Sequence, residues 1–339
     1  MNEAIVSTDE VARPARPAAL VALAAALSAL FYYKCGASLR AWGRVHDAHK
    51  LALDPAILSR DGALNGAVAY FAKIWPALAF GLVIGAVLRA AVPAAWIART
   101  LGKSGMKGAL VGGLLGAPLM LCSCCVTPIF TGLYERGARL GSSLAVMLGA
   151  PGLNLGAIAL TFLLFPIKLA AGRAIAAVVI VLGLPTLLGR MAPGPRAKAA
   201  CAVAPEPAGG LDFAQRFFRS LAYLVAVTLP LVFAGVVASG LVLPHLGRLG
   251  EAGAALAIAL VALASILVAL PTFFEIPIAL VMLQMGVSPG AALAVLVAGP
   301  VVNLPSLFVL GRETSPRVAL ALVAGVWAIA TASGLLTAV

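Results

Sequence analysis

Long runs of apolar residues, separated by short polar or charged segments, dominate this chain of 339 residues. A helix needs roughly 20 mostly apolar residues to cross the hydrocarbon core of a bilayer. Seven runs approach or exceed that length, and a shorter one precedes them: Gly66–Val92, Ser142–Pro166, Ala174–Leu188, Ala222–Leu243, Ala252–Leu270, Gly290–Leu310 and Arg317–Val339, preceded by Pro17–Tyr33. The pattern predicts an all-α, polytopic integral membrane protein with roughly 8–11 transmembrane helices.

The N-terminal run is interpreted as a retained span rather than a cleaved signal peptide. No small-x-small cleavage site follows it, and its last residues, Phe31, Tyr32 and Tyr33, are typical of an aromatic anchor at a membrane surface. Residues 34–64 mix charged with apolar positions and predict an amphipathic helix lying on the membrane. Residues 1–64 therefore form the first predicted region.

Composition and charge agree with a membrane protein. Only 11% of the residues are charged, against about 25% in soluble domains. The net charge of +12 comes from Lys and Arg in the segments between apolar runs, where cytoplasmic loops collect them. The positive charge is thus explained by the loops on the cytoplasmic side of the inner (plasma) membrane, and it does not predict a nucleic-acid partner. The predicted partner is the lipid bilayer.

A shift of 149 residues aligns the second half of the chain with the first. The matched positions include prolines, glycines and asparagines: Pro128 with Pro277, Gly137 with Gly286, Gly141 with Gly290, Pro151 with Pro300, and Asn154 with Asn303. We therefore predict two structural repeats, residues 65–190 and 215–339, joined by a flexible Pro/Ala/Gly-rich linker over 191–214. The sequence leaves both parallel and inverted arrangements of the repeats open.

Each predicted repeat contains two proline-marked interruptions of its apolar segments, at Pro128 and Pro151 in the first and at Pro277 and Pro300 in the second. Such interruptions at corresponding places are typical of secondary transporters. Backbone released from a helix cannot face lipid, so it must be buried in protein or line a cavity. We expect the four helix breaks to meet near the middle of the membrane.

Cys122, Cys124 and Cys125 fall within four residues, just before Pro128. A proline removes a backbone hydrogen bond and crowds the preceding turn. A break there would allow three sulfurs to converge on a soft partner such as copper(I), zinc or trivalent arsenic. The alternative interpretation is that these cysteines are small apolar packing residues.

Three further polar residues lie within the apolar segments. Asn154 and Asn303 each follow a proline by three positions, and they either bind carbonyls that the proline frees or coordinate the substrate or a coupling ion. Glu275 lies two residues before Pro277, at the position that answers the cysteine segment. An intramembrane carboxyl is a candidate proton carrier or cation ligand; the alternative is a structural ion pair.

The segments LCSCCVTPIFTGLYERGARLGSSLAVMLGAPGLN and GVSPGAALAVLVAGPVVNLPSL resemble the predicted permease family that includes the ArsP organoarsenical efflux permeases. The resemblance covers roughly residues 65–311. It implies a polytopic permease that exports soft, thiol-reactive compounds such as trivalent methylarsenicals, and related permeases move copper or zinc. The chain departs from the family pattern at Cys125, where glycine is usual, and at Thr272–Glu275, where small hydroxyl residues are usual.

The sequence contains no Walker loop, nucleotide fingerprint, HExxH or GxSxG motif, so we predict neither an enzyme nor a bound cofactor. The hypothesis is a secondary-active permease that exports a small thiophilic substrate or metal ion by alternating access. The three cysteines and two asparagines would bind the substrate, and Glu275 would couple transport to protons. The alternative is a membrane protein of thiol-redox or sulfur-compound chemistry.

Overall fold

A computed structural model describes residues 21, 24–33, 36, 75–76, 78–87, 94–191, 210–242, 254–269, 273–284 and 286–338. Within these ranges the chain forms helices and no strand. The helices are α1 Ala24–Tyr33, α2 Leu78–Val87, α3 Ala94–Leu101, α4 Gly105–Gly116, α5 Ser123–Glu135, α6 Leu140–Gly152, α7 Leu155–Leu164, α8 Ile167–Leu188, α9 Gly210–Val242, α10 Ala254–Leu267, α11 Glu275–Gln284, α12 Pro289–Val301, α13 Leu304–Glu313 and α14 Pro316–Ala338. A short 3₁₀ helix, Ala117–Leu119, follows α4.

Several of these helices are long and apolar enough to cross a membrane. Among the described residues they are α8, α14 and the 25-residue segment formed by α6 and α7 together. The pair α12 and α13, bent by 44° at its break, makes a fourth span if it is counted as one. Apolar side chains on the outer faces of α8 and α14, such as Ile175 and Leu320, are exposed, as lipid contact requires. The prediction of an all-α, polytopic membrane protein is confirmed.

The helix boundaries repeat along the chain with the spacing found in the sequence. Helices α4, α6, α7 and α8 begin 149 residues before α10, α12, α13 and α14 respectively. A contact repeats as well: a Cβ on Gly141 would lie 2.7 Å from the carbonyl oxygen of Pro185, and the equivalent Gly290 approaches the carbonyl oxygen of Gly334. The contact at Gly141 is therefore repeated at Gly290.

The division into the regions 1–64, 65–190, 191–214 and 215–339 stays a prediction. Most of the amphipathic segment 34–64 and residues 192–209 of the linker lie outside the described residues. Helix α9 begins at Gly210, so the second half becomes helical a few residues before the predicted boundary at 215.

Small residues allow the helices to pack closely. A Cβ on Gly116 of α4 would lie 2.5 Å from the carbonyl oxygen of Val146 of α6, and Gly112 approaches the carbonyl of Ser142 more closely still. Close backbone approach replaces part of the hydrophobic driving force that lipid cannot supply. The two halves meet where α8 packs against α12 and α14. The buried core thus runs through both halves.

The prediction of a helix break at Pro128 is wrong in its position. Helix α5 continues through Pro128 to Glu135, and the interruption lies before it, at residues 120–122. The proline removes the donor that would bind the carbonyl of Cys124, but the hydroxyl of Thr127 donates to that oxygen at 2.6 Å. The helix survives because the acceptor keeps a partner.

The other three prolines lie at or beside helix ends. Pro151 and Pro300 are the next-to-last residues of α6 and α12, which end at Gly152 and Val301. Pro277 is the third residue of α11, in the first turn, where a backbone N–H has no intrahelical acceptor and its loss costs little. The interruption in that part of the chain precedes α11.

Candidate substrate site

The three cysteines lie together at the N-terminus of α5. Cys122 is the N-cap residue, and Cys124 and Cys125 belong to the first helical turn. The sulfur of Cys122 is 2.6 Å from that of Cys125 and 3.3 Å from that of Cys124, and the remaining pair is 3.9 Å apart. All three side chains are buried and none is in a disulfide. The thiols therefore form one compact cluster inside the protein.

The backbone around the cluster is held in an uncommon conformation. Met120, two residues before the cluster, has φ of 49°, in the left-handed region that non-glycine residues seldom occupy. The N–H groups of Cys125 and Val126 donate to the carbonyl of Cys122 at 3.0 and 3.1 Å and begin the helix immediately after it. The strained residue thus turns the chain so that all three thiols fall within one helical turn.

Helix α2 covers the cluster from one side. A Cβ on Gly81 would collide with the carbonyl oxygen of Cys125, and one on Gly85 would lie 2.7 Å from the carbonyl oxygen of Pro128. The two glycines are four positions apart, so both lie on the face of α2 that meets α5. This small-xxx-small face lets the helices approach until their backbones touch, which buries the thiols.

The arrangement can bind one soft ion or arsenical centre. The three sulfurs all lie within 4.8 Å of one another. Three sulfurs bound at about 2.3 Å to a trigonal centre would be about 4.0 Å apart. The pair formed by Cys124 and Cys125 already has that separation, whereas Cys122 would have to move outward by about an ångström. Cys122 precedes the helix, so rotation of its side chain can supply this movement.

Asn154 and Asn303 are the N-cap residues of α7 and α13. The side-chain oxygen of Asn154 accepts a hydrogen bond from the N–H of Ala157, and that of Asn303 accepts one from the N–H of Ser306, both at 3.2 Å. The hydroxyl of Ser306 also accepts from the N–H of Asn303 and completes a capping box. The interpretation that these asparagines bind carbonyls freed by prolines is wrong: their oxygens accept from N–H groups of the next helix, and the Nδ2 atoms that would donate to a carbonyl have no partner among the described residues.

The two asparagine breaks lie next to each other. A Cβ on Gly152, the last residue of α6, would lie 3.4 Å from the Cγ2 of Val301, the last residue of α12. Each of these residues precedes its asparagine by two positions. The structure thus brings together the breaks after Pro151 and Pro300.

Glu275 forms a buried ion pair with a residue that the sequence analysis missed. Its Oε1 accepts a hydrogen bond from the Nη2 of Arg173 at 2.8 Å, with the two side chains 1% and 2% exposed. The Nη1 of Arg173 donates to the hydroxyl of Thr161 at 2.6 Å. Arg173 lies on α8 and Glu275 begins α11, so the pair connects the first half of the chain with the second.

A sequence signal for Arg173 existed. The predicted apolar run begins at Ala174 and leaves Arg173 outside the membrane, although apolar residues flank it on both sides. A buried carboxylate needs a cation, so Glu275 by itself indicates a basic partner. Its Oε1 binds this arginine, and its Oε2 has no hydrogen-bond partner among the described residues. The carboxylate is therefore not bonded to the cysteine thiols, whose segment is equivalent to its own in the other repeat.

Comparisons with known proteins identify the family of the chain and one relative. The family model ArsP_1, described as "Predicted permease", matches residues 61–339. Over 264 residues the chain is also 32% identical to the UPF0718 protein YraQ of Escherichia coli strain K12. The aligned segment covers 76% of this chain and 75% of that protein. No solved structure matches.

The family match spans both predicted repeats and includes the cysteine cluster, both asparagine breaks and the Arg173–Glu275 pair. It supports a membrane transporter. The resemblance found in the sequence is thereby confirmed, and the chain belongs to the ArsP_1 family of predicted permeases.

Proposed function

We propose that the protein is a secondary-active permease of the cell's inner membrane that exports a soft, thiophilic substrate by alternating access. The observation that carries the proposal is the buried cluster of Cys122, Cys124 and Cys125, whose sulfurs all lie within 4.8 Å of one another. Sulfur ligands select soft centres such as copper(I), zinc or trivalent arsenic over hard cations. The substrate would bind at the cluster through sulfur.

The third thiol bears on the class of substrate. A monoalkyl arsenous acid has two hydroxyl groups to exchange, so two thiols replace them with loss of two waters. Arsenous acid itself has three, and three thiols replace them with loss of three waters; a trigonal metal ion likewise takes three sulfurs. Since Cys125 adds a third sulfur to the pair Cys122 and Cys124, the cluster favours a centre with three exchangeable positions.

The Arg173–Glu275 pair would couple transport to the proton gradient. It lies between α8 and α11, one from each half of the chain, and within the described ranges the Oε2 of Glu275 has no hydrogen-bond partner. Protonation of this carboxylate would remove the attraction to Arg173 and loosen the connection between the halves. Helix movements of this kind are how alternating access exposes a buried site to one side and then the other.

Transport into everted membrane vesicles tests the proposal. We expect accumulation of arsenite, methylarsenite, copper(I) or zinc by the wild type, and loss of that accumulation in a variant with all three cysteines replaced by serine. The variant Cys125→Gly, which restores the residue usual in the family, should retain methylarsenite transport and lose preference for three-coordinate substrates. A proton uncoupler should abolish accumulation. Fluxes that are equal in the wild type and the triple variant would overturn the proposal.

A second candidate function is thiol-redox exchange. It is favoured by the 2.6 Å separation of the sulfurs of Cys122 and Cys125, which have the spacing of a Cys-x-x-Cys motif. Mass spectrometry of the alkylated protein after treatment with an oxidised dithiol separates the two functions. A reversible loss of two hydrogens that requires both Cys122 and Cys125, in a protein without transport activity, would favour redox exchange over the permease.

A further inference from the structure

We propose that Asn154 and Asn303, with the N-termini of α7 and α13, form a binding site for the carboxylate or oxyanion group of a small monoanion. This anion site extends the proposed function, but only the experiment that follows transport of two arsenicals rests on that function. The site is distinct from the cysteine cluster in its chemistry, because it offers N–H donors instead of sulfur ligands.

The first observation is a pair of donors without partners. Asn154 is 1% exposed and Asn303 is 0% exposed, and the Nδ2 of each has no hydrogen-bond partner within the part of the chain that the structure describes. The assignment of oxygen and nitrogen in these amides is fixed, since each oxygen accepts a backbone N–H. A buried donor left without a partner costs about 1–3 kcal/mol. Two amides at equivalent positions of the two halves leave their nitrogens in this state.

The second observation is that both amides lie at helix N-termini. Each side-chain oxygen binds an N–H of the first turn, so the attached nitrogen lies at the same helix end. First-turn N–H groups have no acceptor within the helix, and Leu155, Gly156 and Leu304 carry such groups. A helix N-terminus also has a partial positive charge that favours a bound anion.

The third observation places the two termini side by side. Gly152 and Val301 are equivalent residues under the 149-residue shift, and a Cβ on Gly152 would lie 3.4 Å from the Cγ2 of Val301. Each asparagine follows its contact residue by two positions, and two Cα steps span at most about 7.6 Å. Both donor sets therefore lie near the contact between α6 and α12.

The chemistry of the donors defines the class of ligand. Two primary amides supply four N–H donors without a formal charge. Arg173 is not a member of the site, because it binds Glu275 and Thr161, and Thr161 is about 10 Å along α7 from its cap. Uncharged donors compensate one negative charge better than two. The expected ligand is therefore a monoanion with at least two acceptor atoms, either a group on the cargo or a separate ion.

Binding of radiolabelled acetate to the purified protein in lipid nanodiscs tests the site directly. By equilibrium dialysis we expect one saturable acetate per chain, displaced by formate and not by neutral acetamide. A wild type that shows no saturable acetate would overturn the proposal.

Two double variants separate the donors from the caps. Asn154→Ser with Asn303→Ser keeps a side-chain oxygen that caps each helix and removes both amide nitrogens. Asn154→Asp with Asn303→Asp also keeps the caps and adds negative charge. We expect affinity for acetate to fall at least tenfold in the serine pair and binding to be lost in the aspartate pair. Unchanged affinity in the serine pair would overturn the proposal.

Controls guard against a folding defect. Ser288→Ala removes the cap of α12, where the hydroxyl of Ser288 accepts from the N–H of Ala291 at 3.3 Å, and should leave acetate binding unchanged. The single variants Asn154→Ser and Asn303→Ser are measured as well. If the double variant does not give the wild-type circular dichroism spectrum, the two single variants replace it. Each single variant should lose affinity, and retention of full affinity by both would overturn the proposal.

Transport of two arsenicals identifies the source of the anion. Phenylarsine oxide and its 4-carboxy derivative share the soft centre and differ in one carboxylate. If the anion is part of the cargo, the double serine variant should no longer transport the 4-carboxy derivative in preference to phenylarsine oxide. If the anion is a separate ion, transport of both compounds by this variant should fall equally. The triple cysteine variant should lose transport and keep acetate binding, so failure of the permease and failure of the anion site are distinguishable.

Discussion

The ion pair between Arg173 and Glu275 gives a prediction whose magnitude follows from its burial. Arg173→Met keeps most of the side-chain volume and leaves the carboxylate of Glu275, 1% exposed, without its cation. Breaking a buried pair by removal of one partner costs about 3–5 kcal/mol, because the remaining charge stays desolvated. The hydroxyl of Thr161 loses a donor as well, but it still donates to the carbonyl of Ala157 at 2.7 Å and adds little. We expect Arg173→Met to lower the free energy of unfolding by about 4 kcal/mol.

The double variant Arg173→Met with Glu275→Leu decides whether the pair itself is responsible. It removes both charges and fills the space with apolar atoms, a change that is often neutral or stabilising by about 1–4 kcal/mol. The two single substitutions should therefore be strongly non-additive. The free energy of unfolding is measured by SDS titration in mixed micelles, followed by circular dichroism. Arg317→Met, at an exposed arginine of α14, is the matched control and should change stability by less than about 0.5 kcal/mol.

Two results would refute this reasoning. A loss of less than about 0.5 kcal/mol in Arg173→Met would mean that the carboxylate does not depend on the arginine. A double variant as unstable as the sum of the single variants would mean that the two residues act independently. If the double variant is stable but no longer accumulates substrate against a gradient, the pair serves coupling rather than folding.

Two further predictions concern the packing around the cysteine cluster. Gly81→Ala places a Cβ on the carbonyl oxygen of Cys125 and should destabilise the protein by about 1–3 kcal/mol. Gly183→Ala, which has open space around its Cβ, should be neutral or stabilising. Thermal unfolding of both variants tests this difference, and equal effects would contradict it. Thr127→Val removes the hydroxyl that binds the carbonyl freed by Pro128 and should cost about 1–3 kcal/mol. Pro128→Ala in the same chain restores a backbone donor and should recover that loss in SDS titration; no recovery would contradict the explanation.

The sequence predicted the fold class and the location of the site better than its internal contacts. Apolar runs define the long helices because a bilayer demands about 20 apolar residues in any sequence context. The 149-residue shift found in the sequence also separates the first residues of α6, α7 and α8 from those of α12, α13 and α14. Convergence of the three thiols was predicted from a helix break at Pro128, whereas they meet at the start of α5.

The failures have different causes. The break was predicted at Pro128 because a proline removes a backbone donor, but the adjacent Thr127 supplies another. Arg173 was missed because its partner Glu275 is 102 residues away. The asparagine side chains were expected to bind carbonyls freed by the preceding prolines, whereas their oxygens cap the helices that follow.

Most of the residues with candidate binding chemistry lie at the start of a helix that follows an interruption, although Arg173 lies within α8. Cys122, Asn154 and Asn303 are N-cap residues, and Glu275 begins α11 two residues after Phe273, which has φ of 76°. Helix interiors offer a ligand no backbone donors, because every N–H is bound within the helix; only the first turn leaves them free. In a bilayer such free groups must be satisfied inside the protein. An interrupted helix therefore creates a requirement for polar partners where a substrate can fulfil it, and this explains why one chain places its thiols, amides and buried carboxylate at the same kind of position.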